Sequence, residues 1–151
     1  MVPANQTAFT LVELLIALAI AATLAALAIP TYSNYINGLR TQDAINDIHH
    51  FELIIQRYYT SNFKHPELLA ELTGAPAEDP WGNPYQYLNI ATAKNKGKVR
   101  KDKKLNPINS DYDLYSMGED GKSVSPLTAK ASRDDIVRAN NGGFVGLAID
   151  Y

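Results

Sequence analysis

The stretch that decides the fold is residues 9–29, which read FTLVELLIALAIAATLAALAI. Only Thr10, Glu13 and Thr23 are polar in these 21 residues, and the run contains neither glycine nor proline. A helix of this length rises about 30 Å, which is the thickness of the hydrocarbon core of a bilayer. Pro30 follows directly and is expected to bend the helix or to close the apolar run. The sequence therefore predicts a strongly apolar helix at the start of the chain.

Three kinds of apolar segment compete for this stretch. A secretory signal peptide has a basic start and a shorter apolar run, whereas residues 1–8 contain no Lys or Arg. An ordinary membrane anchor has the right length, but a carboxylate such as that of Glu13 costs about 2.5–3.5 kcal/mol at the centre of a spanning helix. A helix that packs against copies of itself accommodates Glu13, because the carboxylate can pair with a positive charge. The alternative is that Glu13 reaches the membrane surface near the start of the helix.

Residues 8–17, AFTLVELLIA, resemble the cleavage and methylation signature of type IV pilins and type II secretion pseudopilins. The resemblance implies a leader of residues 1–8 that is cut between Ala8 and Phe9, followed by N-methylation of Phe9. It also implies that Glu13, the fifth residue of the mature chain, sets the register of assembly. The chain departs from the family pattern in its leader, where Ala8 stands in place of the preferred Gly and basic residues are missing.

After Pro30 the pattern becomes amphipathic. Apolar residues recur every three to four positions, which predicts that residues 30–60 form a second half of one long helix ending near Thr60. Residues 61–151 then form a C-terminal globular domain. The expected buried stripe is Ile45, Ile48, Phe51 or Leu53, Ile55 and Tyr59. Three histidines, at positions 49, 50 and 65, suggest exposure or hydrogen bonding more than metal binding, because adjacent histidines point to different helix faces.

Shorter elements are expected in the globular domain. Pro66–Leu72 is typical of a short helix that begins with proline. The two prolines and the glycine around Trp81 predict a tight turn anchored by that side chain. The strands expected after it are Tyr85–Ile90, Asp111–Met117 and, more weakly, Phe144–Ile149. The fold class is therefore α+β and pilin-like, with a long N-terminal α-helix packed on a small antiparallel β-sheet.

The block from Asp111 to Gly121, DYDLYSMGEDG, and the turn around Trp81 resemble the globular domain of type II secretion major pseudopilins. The resemblance now covers most of the chain. Many ordinary pilins close a C-terminal loop with a disulfide, which a chain without cysteine cannot form. The chain departs from the family in the basic segment 94–104 and in the long tail from Ser125 to Tyr151.

The resemblance further implies a calcium ion in the C-terminal loop. Calcium needs several oxygen donors on a loop that can wrap around it. The expected ligands are the Met117 backbone carbonyl and the side chains of Asp120, Ser123, Asp134 and Asp135. Two alternatives need no metal: a plain turn at residues 119–122, and a helix that begins with a cap at residues 132–135 and continues through residues 136–138.

The net charge of −2 conceals a strong asymmetry. The basic segment 94–104 carries +6, and the rest of the chain carries −8. A charge of +6 would suit binding of DNA or of an acidic neighbouring subunit. The favoured interpretation of the basic segment is a solvated loop or hairpin tip. No aromatic residue lies among these charges, which argues against single-strand stacking and makes a nucleic-acid partner unexpected. No phosphate loop, nucleophile elbow or metalloprotease helix is present, and no enzymatic activity is expected.

The resemblance to pseudopilins implies a structural subunit that polymerises through its N-terminal helix into a periplasmic filament driving type II protein secretion. Its expected location is the inner membrane, as a single-pass protein with the C-terminal domain in the periplasm. Expected partners are further copies of the chain, minor pseudopilins, the prepilin peptidase and the inner-membrane assembly platform. The alternative is a type IV pilus subunit for adhesion, motility or DNA uptake. A third class, a monomeric anchored binding module, would keep residues 1–8.

Overall fold

The computed structural model describes residues 9–151, and the expected leader with Ala8 lies outside this described range. The chain divides into two compact units, Met1–Gly38 and Leu39–Tyr151, of which the second is called the core unit below. One helix, α1 (Leu11–Asn62), contains residues of both units. The expected domain limits at residues 29 and 60 remain predictions.

The sheet of the core unit is a four-stranded antiparallel meander. Its strands are β1 (Gln86–Asn89), β2 (Tyr112–Ser116), β3 (Ile136–Ala139) and β4 (Phe144–Leu147), and each pairs with the next in sequence. Residue Leu88 of β1 lies opposite Asp113, and Val137 of β3 lies opposite both Tyr115 and Gly146. Strands β2 and β3 are therefore the two inner strands.

One stripe of helix α1 packs on the sheet. The fully buried helix residues are spaced by four, three and four positions, as expected for one face of an α-helix: Ala44, Ile48, Phe51 and Ile55. The ring of Phe51 meets the ring of Tyr85 edge-on, with 5.0 Å between centroids. Tyr112, Leu114 and Ile136 complete this cluster from the sheet side. The predicted α+β pilin-like fold is confirmed.

The other face of the sheet is covered by loops rather than by a helix. Val137 and Ala139 of β3 pack there with three residues from the connecting segments: Ile108, Leu127 and Ala148. Tyr115 of β2 and Phe144 of β4 pack against the same cluster. Because both faces are covered, polar side chains that project from β2 and β3 are buried and need internal partners.

Some expected elements differ from the structure. Residues 136–138, for which a capped helix was one alternative, form part of strand β3, because the β-branched pair Ile136–Val137 is buried between β2 and β4. In place of the short helix Pro66–Leu72 there is a single 3-10 turn, Leu69–Glu71. The Glu71 carboxylate accepts the backbone N–H of residues 67 and 68, which fixes a turn instead of a helix.

The expected helix stripe also needs correction at two positions. Leu53 is 61% exposed and Tyr59 is 40% exposed, whereas Phe51 and Ile55 are buried. Strand β4 ends at Leu147, and the rest of the expected third strand forms a 3-10 turn, Ala148–Asp150.

Candidate functional site

The apolar segment, residues 9–29, exposes its hydrophobic side chains. Phe9 is 87% exposed, and Leu11 through Ile29 show the same pattern along the helix. The most apolar 18-residue window of α1 has a mean hydropathy of 2.5 and none of it is buried. By length and composition α1 is able to cross a membrane. Such a surface is not stable in water and needs either lipid or other protein around it.

Glu13 closes a capping box at the start of α1. Its Oε2 accepts hydrogen bonds from the Thr10 backbone N–H at 2.9 Å and from the Thr10 hydroxyl at 2.8 Å. In return, the Glu13 backbone N–H donates to the Thr10 hydroxyl at 3.2 Å. This arrangement satisfies donors at the helix end and places a negative charge where the helix dipole favours one. The spacing Thr-x-x-Glu in the sequence is the signature of such a cap, whereas the family resemblance implies a different role for Glu13, in the register of assembly.

Pro30 lies inside α1 and does not end it. Proline cannot donate the hydrogen bond that the Ala26 carbonyl would accept in a regular helix. At the next residue, the Thr31 hydroxyl donates to the Leu27 carbonyl at 2.9 Å, and seven residues before Pro30 the Thr23 hydroxyl donates to the Ala19 carbonyl at 2.6 Å. These bonds keep the hydroxyls satisfied within the helix.

The C-terminal loop brings only some of the expected calcium ligands together. The Asp135 carboxylate is fully buried and accepts the hydroxyl of Ser123 at 2.6 Å. Asp134 turns its carboxylate to the backbone N–H of Asp120 at 3.1 Å. Asp120 itself is exposed, and its Oδ1 accepts the Lys122 N–H. The four expected side-chain donors are therefore engaged in two separate sets of hydrogen bonds.

Arg100 occupies the centre of the set around Asp135. This side chain comes from the basic segment, yet the residue is only 1% exposed, so the expectation of a solvated loop is wrong at this position. Its Nη2 donates to Asp135 Oδ2, and its Nη1 donates to the Ser123 hydroxyl and to the Val124 carbonyl, both at 2.5 Å. The guanidinium carbon lies 4.3 Å from the centre of the Tyr115 ring.

These residues do not fit a calcium ion. Calcium takes about six to eight oxygen ligands, which must point at it without a competing cation. Here a carboxylate, a hydroxyl and a carbonyl already face one guanidinium. Among the side-chain oxygens of residues 9–151, Asp135 Oδ1 is the only buried one without a hydrogen-bond partner. Within residues 9–151, no group of three or more His, Asp or Glu side chains is arranged to hold a metal. Burial raises the pKa of Asp135 to about 6, although the Ser123 hydroxyl and Arg100 oppose that rise.

The neighbouring turns hold the loop in place. Asp79 Oδ1 accepts the N–H groups of Trp81 and Asn83, and Asp79 Oδ2 accepts the Ser116 hydroxyl at 2.5 Å. The Asn83 side chain then donates to the Gly118 carbonyl at 3.0 Å. The turn around Trp81 is therefore tied to the end of β2, where the C-terminal loop begins.

A second buried arginine, Arg138, was not singled out in the sequence. Its Nη1 and Nη2 donate to the two carboxylate oxygens of Asp111 at 2.9 and 2.8 Å. Its Nε donates to Glu52 Oε1 at 2.9 Å, which joins β3 to helix α1. Glu52 Oε2 in turn lies 2.9 Å from His49 Nδ1. Because Asp111 and Arg138 lie 27 residues apart in the chain, this pair gives no local signal in the sequence.

Comparison with known proteins agrees with the N-terminal signature. Residues 3–29 match the family described as the prokaryotic N-terminal methylation motif. The chain is 31% identical to type II secretion system core protein G of Pseudomonas aeruginosa, over 78% of this chain and 87% of that protein. It is 28% identical to the core protein G of Aeromonas hydrophila, over 79% of this chain and 87% of that protein.

A pilin is also among the relatives. The chain is 28% identical to the type IV major pilin protein PilE1 of Neisseria gonorrhoeae, over 91% of this chain and 67% of that protein. No solved structure matches the chain. Because the similarity to core protein G is higher and covers more of the relative, the chain belongs to the family of type II secretion system core protein G.

Proposed function

We propose that this chain is the major pseudopilin of a type II secretion system. It is a structural, non-catalytic subunit that polymerises through its N-terminal helix into a periplasmic filament, and growth of this filament drives protein secretion. The exposed apolar segment is the observation that carries the proposal. In the filament, packed copies of this segment would replace lipid and keep one another's side chains out of water, where exposure would cost roughly 25 cal/mol for each Å².

The proposal includes a processing pathway. The precursor sits in the inner membrane as a single-pass protein with the core unit in the periplasm. A prepilin peptidase cuts between Ala8 and Phe9 and methylates the new amino group of Phe9. The mature subunit then joins further copies and minor pseudopilins at an inner-membrane assembly platform. The match of residues 3–29 to the methylation motif supports this order of events.

Glu13 acquires its second role at this stage. In the single chain its carboxylate caps helix α1 through Thr10. In the filament it pairs with the positively charged amino terminus of a neighbouring subunit. Opposite charges that meet inside an apolar helix bundle cost far less than a single buried charge, and they fix which residues lie side by side.

The experiment that tests the function compares two variants that affect the capping box differently. Glu13→Ala removes the carboxylate, whereas Thr10→Val removes the hydroxyl and leaves the charge of Glu13. Each variant replaces the wild-type gene, and we measure filament assembly, secretion of the exported proteins and the amino-terminal residue of the mature subunit. We expect an N-methylated Phe9 in the wild type, loss of assembly and secretion for Glu13→Ala, and near-normal assembly for Thr10→Val.

Different outcomes contradict different parts of the proposal. A mature protein that retains residues 1–8 would indicate a monomeric anchored module instead of a filament subunit. Normal assembly of Glu13→Ala would remove the register role. Equal defects in both variants would assign the effect of Glu13 to helix capping alone.

The second candidate is a type IV pilus subunit, which the similarity to PilE1 favours. Deletion of the gene separates the two candidates, because loss of a secretion pseudopilin leaves exported proteins in the periplasm. Loss of a pilin instead removes surface fibres and the adhesion, motility or DNA uptake that depends on them.

A further inference from the structure

The contacts of Arg100 in the C-terminal loop concern calcium binding, which is separate from the assembly of the filament. The side chain reaches from the segment before β2 into a loop that lies more than twenty residues later in the chain. There it meets three kinds of oxygen: the Ser123 hydroxyl, the Val124 backbone carbonyl and the Asp135 carboxylate. Hydroxyl, carbonyl and carboxylate oxygens are also the ligands that a hard divalent cation prefers.

The oxygens of the loop therefore face a positive charge, and this charge is carried by the Arg100 side chain of the same protein. We propose that the Arg100 guanidinium replaces a structural calcium ion in this protein, so that the C-terminal loop closes without any metal. The guanidinium supplies a positive charge and several N–H donors in fixed directions, which suits it to bridge oxygens from separate segments.

Neighbouring contacts hold Arg100 in this position. Its backbone N–H donates to Asp113 Oδ2 at 2.7 Å, and Asp113 Oδ1 accepts the Asn109 side chain at 3.0 Å. The guanidinium also stacks over the Tyr115 ring. The backbone and the guanidinium of Arg100 thus both contact β2, and these contacts direct the side chain into the loop.

Two other expected calcium ligands of the loop, Asp134 and Asp120, are engaged elsewhere. The Asp134 carboxylate accepts the backbone N–H of Asp120, the Asp120 carboxylate accepts that of Lys122, and Asp120 is exposed. An added calcium ion would have to displace a buried guanidinium and recruit these carboxylates from their present partners. A cation that approaches Arg100 also meets like-charge repulsion at close range.

The test measures thermal unfolding of the full-length processed protein in mild detergent, in buffer with 5 mM EGTA or 5 mM CaCl2. Fluorescence of Trp81, the single tryptophan, reports unfolding of the core unit. We expect the same Tm, within about 1 °C, in both buffers, because a ligand that does not bind the native state cannot stabilise it. Radioactive calcium in equilibrium dialysis should show no bound ion at micromolar concentrations.

Two variants complete the test in EGTA. Arg100→Gln leaves Asp135 buried without its counter-charge, and we expect the Tm to fall by roughly 6–20 °C. The matched control is Lys98→Gln, which removes an exposed charge two residues earlier and should leave the Tm unchanged.

A rise in wild-type Tm of several degrees in calcium, or a loss of stability in EGTA, would overturn the proposal. So would an Arg100→Gln variant that melts like the wild type in EGTA. If Arg100→Gln does not fold at all, that loss supports the role of the guanidinium, and the comparison of the wild type with and without calcium still decides the question. None of these outcomes depends on filament assembly, so the proposed function is tested separately.

Discussion

Arg138 joins helix α1 to the sheet, and its removal should reveal how much this link contributes to stability. Its Nε bonds to Glu52 on the helix, and its two Nη atoms bond to both oxygens of Asp111. Nη1 also lies 3.2 Å from the Tyr112 carbonyl, and the guanidinium carbon lies 4.0 Å from the centre of the Tyr112 ring. The informative substitution is Arg138→Met, which keeps the length of the side chain and removes its charge.

The expected loss of unfolding free energy follows from burial and geometry. Removing one partner of a buried ion pair costs about 3–5 kcal/mol, because the remaining charge is left unpaired. Arg138 is 4% exposed, but the side chains of Glu52 and Asp111 retain 21% and 24% of their exposure. Water can therefore solvate the two remaining carboxylates in part, which places the expected loss near the lower limit, at about 3 kcal/mol.

The assay is urea unfolding of the full-length protein in mild detergent, followed by Trp81 fluorescence. Since a typical domain is stable by about 5–15 kcal/mol, the variant should still fold, with a lower midpoint and an unchanged m-value. A double-mutant cycle with Asp111→Asn should give a coupling energy of about 1–3 kcal/mol. A loss below about 1 kcal/mol for Arg138→Met, the value typical of exposed pairs, would refute this reasoning.

Two further predictions concern the turn at Gly118 and the pH dependence of the Asp111–Arg138 pair. Gly118 has φ +64°, and an added Cβ would lie 2.3 Å from the Asp134 carbonyl oxygen, whereas Gly74 has φ +82° and open space around it. Gly118→Ala should therefore cost about 1–3 kcal/mol more than Gly74→Ala in the same urea assay, and equal losses would exclude the close approach. For Asp111, burial raises the pKa, but the hydrogen bonds and charge of Arg138 together with the backbone N–H of Tyr112 outweigh it, and the pKa is lowered. This group stabilises the protein above about pH 4 and loses its contribution as the pH falls through its folded pKa, so Asp111→Asn should be destabilising at pH 7 and less so at pH 3. An equal loss at both pH values would contradict the pairing.

The apolar helix and the fold class were accessible from the sequence because their signals are local. A run of 21 residues in which only three are polar predicts an apolar helix from composition alone. The alternation of Tyr112, Leu114 and Ser116 with Asp113 and Tyr115 predicted β2 correctly in type and within one residue at each end. Both signals depend only on neighbours in the chain.

Strand β3 was not predicted, and a capped helix was an alternative for its residues, because its conformation depends on distant partners. Residues 132–135 have the composition of a helix cap, and the acids fit a first turn. The structure instead pairs Ile136 with both Ser116 and Leu147, and these pairings outweigh the local preference. A four-residue strand that is buried on both faces lacks the alternation by which a half-buried strand is recognised.

The burial of Arg100 and its pairing with Asp135 could not be predicted for a related reason. Within the basic segment it is one of seven Lys or Arg residues, and nothing near it in sequence distinguishes it from the exposed lysines. Its partner Asp135 is 35 residues away, and the loop that joins them is defined only when β2 and β3 pair. Charge patterning identifies a basic segment, but it does not show which member of that segment is buried.

The two buried arginines explain how the core unit is stable without a disulfide. Strand β2 is covered on both faces, and each face carries a tyrosine beneath a guanidinium: Arg138 over Tyr112 on the helix side, Arg100 over Tyr115 on the loop side. Each guanidinium binds oxygens from segments that are far apart in the chain, as a disulfide or a bound ion would. Such bridges are internal to the fold, so screening by salt affects them much less than it affects exposed pairs. The stability of the core unit should accordingly respond strongly to the loss of either arginine and only weakly to salt.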